Sequence, residues 1–159
     1  MIFSLVQSAL EEQNFSIVDK DHNRPWGGFF VIAEEQAQRF ADVYFDGLDV
    51  SSLKISGKLS PKILVVAPFK RLSWQYHHRR SEIWRIIQGK AGVVRSNTDS
   101  ESETEILNVG ATVRLLQGER HRLVGLVDYA VVAEIWQHTD VANSSDENDI
   151  VRLQDDFGR

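Results

Sequence analysis

Cysteine is absent from the 159 residues. That excludes disulfides, thiolate metal sites and a cysteine nucleophile, and it suits a reducing compartment, so a cytoplasmic location is expected. No apolar run is long enough to span a bilayer, because charged or polar residues interrupt every stretch, so no membrane association is expected. A basic start is missing too. The first basic residue is Lys20, and the opening stretch does not read as a secretory signal. Positive charge is in deficit overall: 18 Lys and Arg stand against 23 Asp and Glu, a net charge of −5. A nucleic-acid partner is therefore not expected, since neutralising phosphates needs a basic surface. No internal repeat is visible. What is present, 42% hydrophobic and 26% charged residues, is the balance of a globular chain, and the length fits one domain.

The first 45 residues differ from the rest. Ile2, Leu5, Val6 and Ala9 recur at helical spacing, which predicts a short amphipathic helix. Residues 34–45 predict a second, with Ala37, Phe40, Ala41 and Tyr44 on one stripe and Glu34 and Glu35 at its N-terminal end. Between them, residues 22–28 (His-Asn-Arg-Pro-Trp-Gly-Gly) read as a turn. From about residue 50 to 137 short strands follow one another: 62–68, 72–78, 83–88, 91–95, 105–108, 112–116, 121–125 and 129–137. They are rich in Val, Ile, Leu and aromatics and are bounded by turn residues. With no crossover helices among them, they predict an all-β antiparallel sandwich or barrel. Residues 97–104 and 139–149 are polar and read as loops. The chain is thus expected to be a single domain, 1–159, with a helical and turn extension (1–45), a β-barrel (50–137) and a tail (138–159).

The densest group of potential ligands is Gln75-Tyr-His-His-Arg-Arg-Ser-Glu82. Strand side chains alternate faces, so Gln75 and His77 share one side, and Tyr76 and His78 the other. After a tight Arg-Arg-Ser bend, Glu82 is placed to begin the neighbouring strand and point back inward. His121 follows Gly118-Glu-Arg later in the strand series. Two neutral imidazoles, a carboxylate and an amide oxygen suit a divalent ion such as zinc, manganese, iron or nickel. The same residues also suit hydrogen-bonded structural histidines and a solvated turn, and spacing alone leaves both readings open.

These residues resemble a known family. Gln75-x-His77, then Glu82 and Gly89, is similar to the first cupin motif, and Gly110, Gly118 and His121 fall in register with the second. More narrowly, Arg24-Pro-Trp-Gly27, Leu72-Ser-Trp-Gln-Tyr-His-His78, Arg80-Ser-Glu82-x-Trp84 and the tail from Asp149-Ile-Val-Arg152 to Phe157-Gly-Arg159 resemble the type II mannose-6-phosphate isomerase domain. Arg79 and Ile83 stand where that family usually has histidines. The resemblance implies a cupin double-stranded β-helix (jelly roll), a tail folded on the barrel, and metal ligands at Gln75, His77, Glu82 and His121. It further implies a metal-dependent sugar-phosphate isomerase converting mannose 6-phosphate to fructose 6-phosphate. No Gly-rich nucleotide loop opens the sequence, so nucleotide-sugar synthesis is not expected of it.

Aldose–ketose isomerisation moves a proton between C1 and C2 through an enediol, which calls for a base, a Lewis acid and cations for the phosphate. Arg80, beside the motif glutamate, is the first choice for substrate contact, with a surface ion pair as the alternative. Arg152 and Arg159 come from the tail, where a solvated arginine is the plainer reading, and Arg24 reads better as a pin for its turn. For the base, Glu134, Lys70, His78 and Glu119 are candidates. Two further readings stay open: a non-catalytic cupin that binds metal or sugar, and a different cupin enzyme. A homodimer formed by sheet pairing is one expectation, and the apolar face of the first helix either meets a partner or caps its own barrel.

Overall fold

The computed structural model describes residues 1–54 and 58–159. In chain order the elements are α1 (Ile2–Glu12), β1 (Ile17–Arg24), β2 (Gly27–Ile32), α2 (Ala37–Tyr44), β3 (Lys62–Val66), β4 (Trp74–Tyr76), β5 (Arg80–Gln88), β6 (Ala91–Ser96), β7 (Glu105–Leu107), β8 (Thr112–Leu115), β9 (Arg120–Gly125), β10 (Ala130–His138) and β11 (Val151–Gln154). Strands form two antiparallel sheets, in the orders β1-β2-β3-β10-β5-β8 and β11-β4-β9-β6-β7. Face to face, they make a jelly-roll barrel, as the strand pattern predicts.

β10 shows how this sequence builds two cores from one sheet. Its residues alternate by the strand period of two. Ala130 and Val132 turn inward and pack with Trp84, Val93, Leu115 and Leu123 between the sheets. Val131, Ala133 and Ile135 turn outward and pack with Phe30, Ile63 and Ile83 under Val6 and Leu10 of α1 and Phe40 and Ala41 of α2. The six-stranded sheet is therefore covered on both faces, which is why β3 reads Lys-Ile-Leu-Val-Val with every residue buried and no alternation. The apolar stripe of α2 caps its own barrel; α1 does so too, but through Val6 and Leu10 with Ile2 and Phe3, while Leu5 and Ala9 of the expected stripe are exposed, because the helix turns the face one position further round onto the sheet.

Four details differ from the sequence expectation. Residues 17–32 form a hairpin that extends the larger sheet, where a turn between helices was expected. β1 escapes notice because Ile-Val-Asp-Lys-Asp-His-Asn-Arg carries little β propensity; as an edge strand it needs only its pairing with β2. The hairpin turn seats Gly27 at φ +144, where a Cβ would lie 2.0 Å from the Val65 carbonyl oxygen, so only glycine fits. The second helix is shorter than expected, with a 3-10 turn at Glu34–Gln36 before it. The tail contributes a strand, β11, paired with β4. Finally, β5 is not the neighbour of β4: the chain crosses from the smaller sheet to the larger between them. Glu82 thus faces His77 across the barrel, which an interior site with ligands from both walls requires.

Candidate active site

Three sequence-predicted ligands converge. His77 follows β4, His121 lies on β9, and Glu82 lies on β5 of the opposite sheet. All three are buried, and each offers one ligand atom within 4.8 Å of the others. Glu82 Oε1 is 3.2 Å from His77 Nε2, and Oε2 is 3.5 Å from His121 Nε2. Gln75 is the cross-strand partner of His121, is buried, and lines the same pocket as Glu82. His78 is exposed and turns away with Tyr76, against whose ring it packs edge-on.

The imidazole tautomers follow from what the other ring nitrogen meets. His77 Nδ1 lies 2.7 Å from the Asp149 carbonyl oxygen, and His121 Nδ1 lies 3.1 Å from that of Glu119. A carbonyl only accepts, so each proton sits on Nδ1 and each neutral ring presents a bare Nε2 to Glu82. His121 Nε2 is buried without a hydrogen-bond partner. Acceptors facing a carboxylate need a cation between them. Burial disfavours the protonated form of His77 and lowers its pKa, in spite of the Glu82 carboxylate. A divalent ion meets the same need without a proton, so these residues fit the metal that the sequence pattern implies.

Arg80 holds this arrangement. Its Nε donates to Glu82 Oε1 at 3.0 Å, and its Nη1 donates to Ser145 Oγ and to the Asp146 carbonyl, each at 3.0 Å. Nη2 reaches His77 Nε2 at 3.3 Å, and the guanidinium lies 3.5 Å above the Trp136 ring. Burial works to raise the Glu82 pKa, but the neighbouring His77 and then Arg80 outweigh it, so the carboxyl stays well below its ordinary value and ionised. Arg80 is thus largely committed to protein partners.

The segment after β10 fastens the site from outside. The Asp149 carboxylate accepts from the backbone N–H groups of His78 and Arg79, both at 2.9 Å, and from the Ser145 hydroxyl at 2.6 Å. Burial opposes its ionisation, yet these donors bring its pKa down to about 2. Ser145 in turn donates its N–H to His138 Nδ1 at 2.9 Å. Only part of the 139–149 loop is therefore solvated.

Of the four base candidates, Glu134 alone lines the pocket. It is buried on the wall that carries Glu82, cross-strand from Trp84. Its Oε2 accepts from the Trp84 indole at 2.8 Å, and its Oε1 from Trp136 at 2.9 Å. Burial and the nearby Glu82 charge push its pKa up to about 7. Lys70 and His78 are exposed, and Glu119 is paired with Arg95 at 2.8 Å. Arg159 reaches the pocket rim while bonded to Asp155 at 2.7 Å, and Arg24 and Arg152 line it too. Trp26, Trp84 and Trp136 form apolar walls; Trp74 points away, with its indole donating to the Asp99 carbonyl. Lys62 and Ser145 escaped the sequence reading, and Asp149 entered it only as the start of the tail motif, with no role. Lys62 sits in a strand buried on both faces, where alternation cannot tell interior from exterior, and the other two lie in a polar stretch with no period.

Comparison with known proteins bears on the family and the fold. Residues 33–155 match the family described as mannose-6-phosphate isomerase C-terminal. The chain belongs to that family. It is 28% identical over 126 residues to the alginate biosynthesis protein AlgA of Pseudomonas aeruginosa, covering 78% of this chain and 24% of that protein. It is 29% identical over 138 residues to the xanthan biosynthesis protein XanB of Xanthomonas campestris pv. campestris, covering 86% of this chain and 23% of that one. The chain thus spans about a quarter of the length of the curated relatives it matches. A solved structure of an oxalate decarboxylase variant from Bacillus subtilis superposes with a TM-score of 0.59 at 18% identity, over 87% of this chain and 32% of that one. That likeness concerns the fold, the cupin double-stranded β-helix. No helix among the described residues is long and apolar enough to cross a membrane.

Proposed function

We propose that this member of the family is a metal-supported aldose–ketose isomerase that interconverts mannose 6-phosphate and fructose 6-phosphate. One observation carries the reading: Glu134, a buried glutamate oriented by two indole donors, shares a pocket with Glu82 of the His–Glu–His group, and burial and the Glu82 charge raise its pKa. An enediol mechanism needs a base that is half-ionised at neutral pH next to a Lewis-acid position. Membership of the family supports the substrate assignment, and the likeness to AlgA and XanB, an alginate and a xanthan biosynthesis protein, accords with it.

Gln75, His77, Glu82 and His121 would hold the ion, which when bound supplies Lewis acidity to the C1 and C2 oxygens of the open-chain sugar. Glu134 removes the proton from one carbon and returns it to the other. Its indole partners keep the carboxylate oriented while leaving lone pairs on each oxygen free. Arg80 acts by fixing Glu82 and His77, so we assign it a positioning role. The tryptophan walls shield the enediol from water. Arg159 stands at the pocket rim, held by Asp155, where it adds positive charge at the entrance.

A coupled assay on metal-reconstituted protein with mannose 6-phosphate tests this. The native chain should turn over. His121→Ala should lose metal and turnover together. Glu134→Gln should keep the metal and lose about 10²–10⁴-fold in rate, and the native rate should fall as pH drops through about 7, where Glu134 takes up its proton. If native protein and His121→Ala give the same background rate, the isomerase reading fails and a non-catalytic metal- or sugar-binding cupin takes its place.

A further inference from the structure

Lys62 is a nearly buried lysine in the pocket, and such an ammonium is rarely found without an anion. Its anion is Glu147, from the loop between β10 and β11. The two members of this pair are unequal. The Lys62 side chain is 9% exposed and lies 3.9 Å above the Trp136 ring, whereas the Glu147 side chain is 71% exposed. Among the described residues, Lys62 is the hydrogen-bond donor that holds Glu147. The residues on either side are anchored independently. Ser145 is tied to His138, and Asp149 to the backbone of His78 and Arg79. The Glu147 side chain can therefore swing out by rotamer change while the loop stays in place.

The position it would vacate is built for a stronger anion. Partial desolvation works to raise the Glu147 pKa, but Lys62, then Arg80 and Arg24, bring it below its ordinary value, so the fields of three cations meet there. Five cationic side chains line the pocket against three carboxylates, in a chain whose net charge is −5. Of those carboxylates, Glu82 is matched by Arg80, and Glu134 is half-protonated near neutral pH. Position agrees with charge. Lys62 is cross-strand from Glu134, which is cross-strand from Trp84, two residues beyond Glu82. Two strand spacings, about 10 Å, separate the β3 and β5 backbones. A C6 phosphate at Lys62 thus leaves the C1–C2 end of an open-chain hexose beside Glu134 and Glu82.

We infer that Lys62, backed by Arg24, is the subsite for the substrate's phosphate monoester, and that Glu147 is an internal stand-in which the phosphate displaces. The identity of the ligand rests on the sugar-phosphate reading above; the anion subsite and its displaceable carboxylate rest on the geometry alone. A phosphate monoester carries up to two negative charges and several strong acceptors, against one charge and a solvent-screened contact for Glu147.

Calorimetric titration with inorganic phosphate, mannose 6-phosphate and mannose, at fixed ionic strength, tests the inference without requiring turnover. Glu147→Gln removes the competing charge from an exposed side chain and should tighten both phosphate ligands about two- to fivefold, the range set by a screened ion pair, with mannose unaffected. Lys62→Met should lose the advantage of mannose 6-phosphate over mannose, and Lys62→Arg should restore much of it, which separates lost charge from lost fold. Unchanged or weaker phosphate binding in Glu147→Gln overturns the inference. So does phosphate binding that survives Lys62→Met but disappears in His121→Ala, since the anion would then be sitting on a metal. Tightened phosphate binding without isomerisation would sink the isomerase reading and leave the subsite standing. Full turnover by Lys62→Met at unchanged KM would do the reverse.

Discussion

Glu82 stands at the centre of the site's electrostatics, with Arg80 and His77 at one carboxylate oxygen and His121 at the other. A buried carboxylate costs several kcal/mol unless it is paired and hydrogen-bonded. Arg80 supplies that pairing before any metal arrives. Arg80→Ala should therefore destabilise the metal-free protein by about 3–5 kcal/mol, the usual loss when one member of a buried pair is removed. Saturating divalent metal should recover a larger share of that stability than it adds to the native chain, because the ion replaces the missing positive charge. Thermal or denaturant melts of both proteins, with and without metal, measure this. Equal metal-induced stabilisation in the two proteins would refute the compensating role.

Among the elements, α2 illustrates how the N-terminal segment serves the site at a distance. Phe40 is fully buried, packs edge-on to Phe15 and Tyr44, and closes the core on the outer face of the sheet whose inner face carries Glu82 and Glu134. Phe40→Ala should cost about 3–5 kcal/mol by loss of transfer energy and creation of a cavity. Urea unfolding provides the number. A loss below 1 kcal/mol would mean that the helix is a loose cover. The 145–149 stretch acts in the opposite way. It contributes almost no apolar surface, yet it sets the His77 tautomer through the Asp149 carbonyl and anchors Arg80 through Ser145 and Asp146. The surroundings of the His–Glu–His group are thus completed by a segment outside both sheets.

For the molecule as a whole, His138 couples stability to pH. It is fully buried at the end of β10, accepts the Ser145 N–H on Nδ1, and has its pKa lowered to about 4, chiefly by burial and then by Lys58 and Arg80. The unfolded chain protonates this histidine near 6.5, so between pH 6.5 and 4 the unfolded state binds more protons and folding loses free energy as pH falls. The loss should begin below pH 6.5, reach about 2 kcal/mol near pH 5 and level off below 4. Denaturant titrations at pH 7.5 and 5, compared with His138→Gln, isolate the effect. The variant should show a smaller drop, and an equal drop in both proteins would assign the pH dependence elsewhere.

Gln75, His77 and Glu82 were legible as a ligand group because strand alternation and a tight bend are local, and the chain itself carries them. His121 lies 39 positions beyond Glu82; its residue type and strand context made it a candidate, and the motif resemblance supplied the register. The two helices, the amphipathic stripe of α2 and most strands of the barrel were likewise written in short-range periodicity, whereas the buried face of α1 was not the one its periodicity suggested. Other features depended on partners distant in sequence. β1 is a strand because β2 offers it an edge, not because of its own residues. Which glutamate sits near pH 7 depends on burial, on two indole donors and on a second carboxylate, none of them near Glu134 in sequence except Trp136. Lys62 meets Glu147 across 85 residues, and Asp149 meets His77 across 72. Local patterning determined the elements and the ligand types. Tertiary structure decided which sheet each ligand comes from, what charge each carries and which loop closes over them, because burial and electrostatic pairing are properties of the assembled interior, not of any one segment.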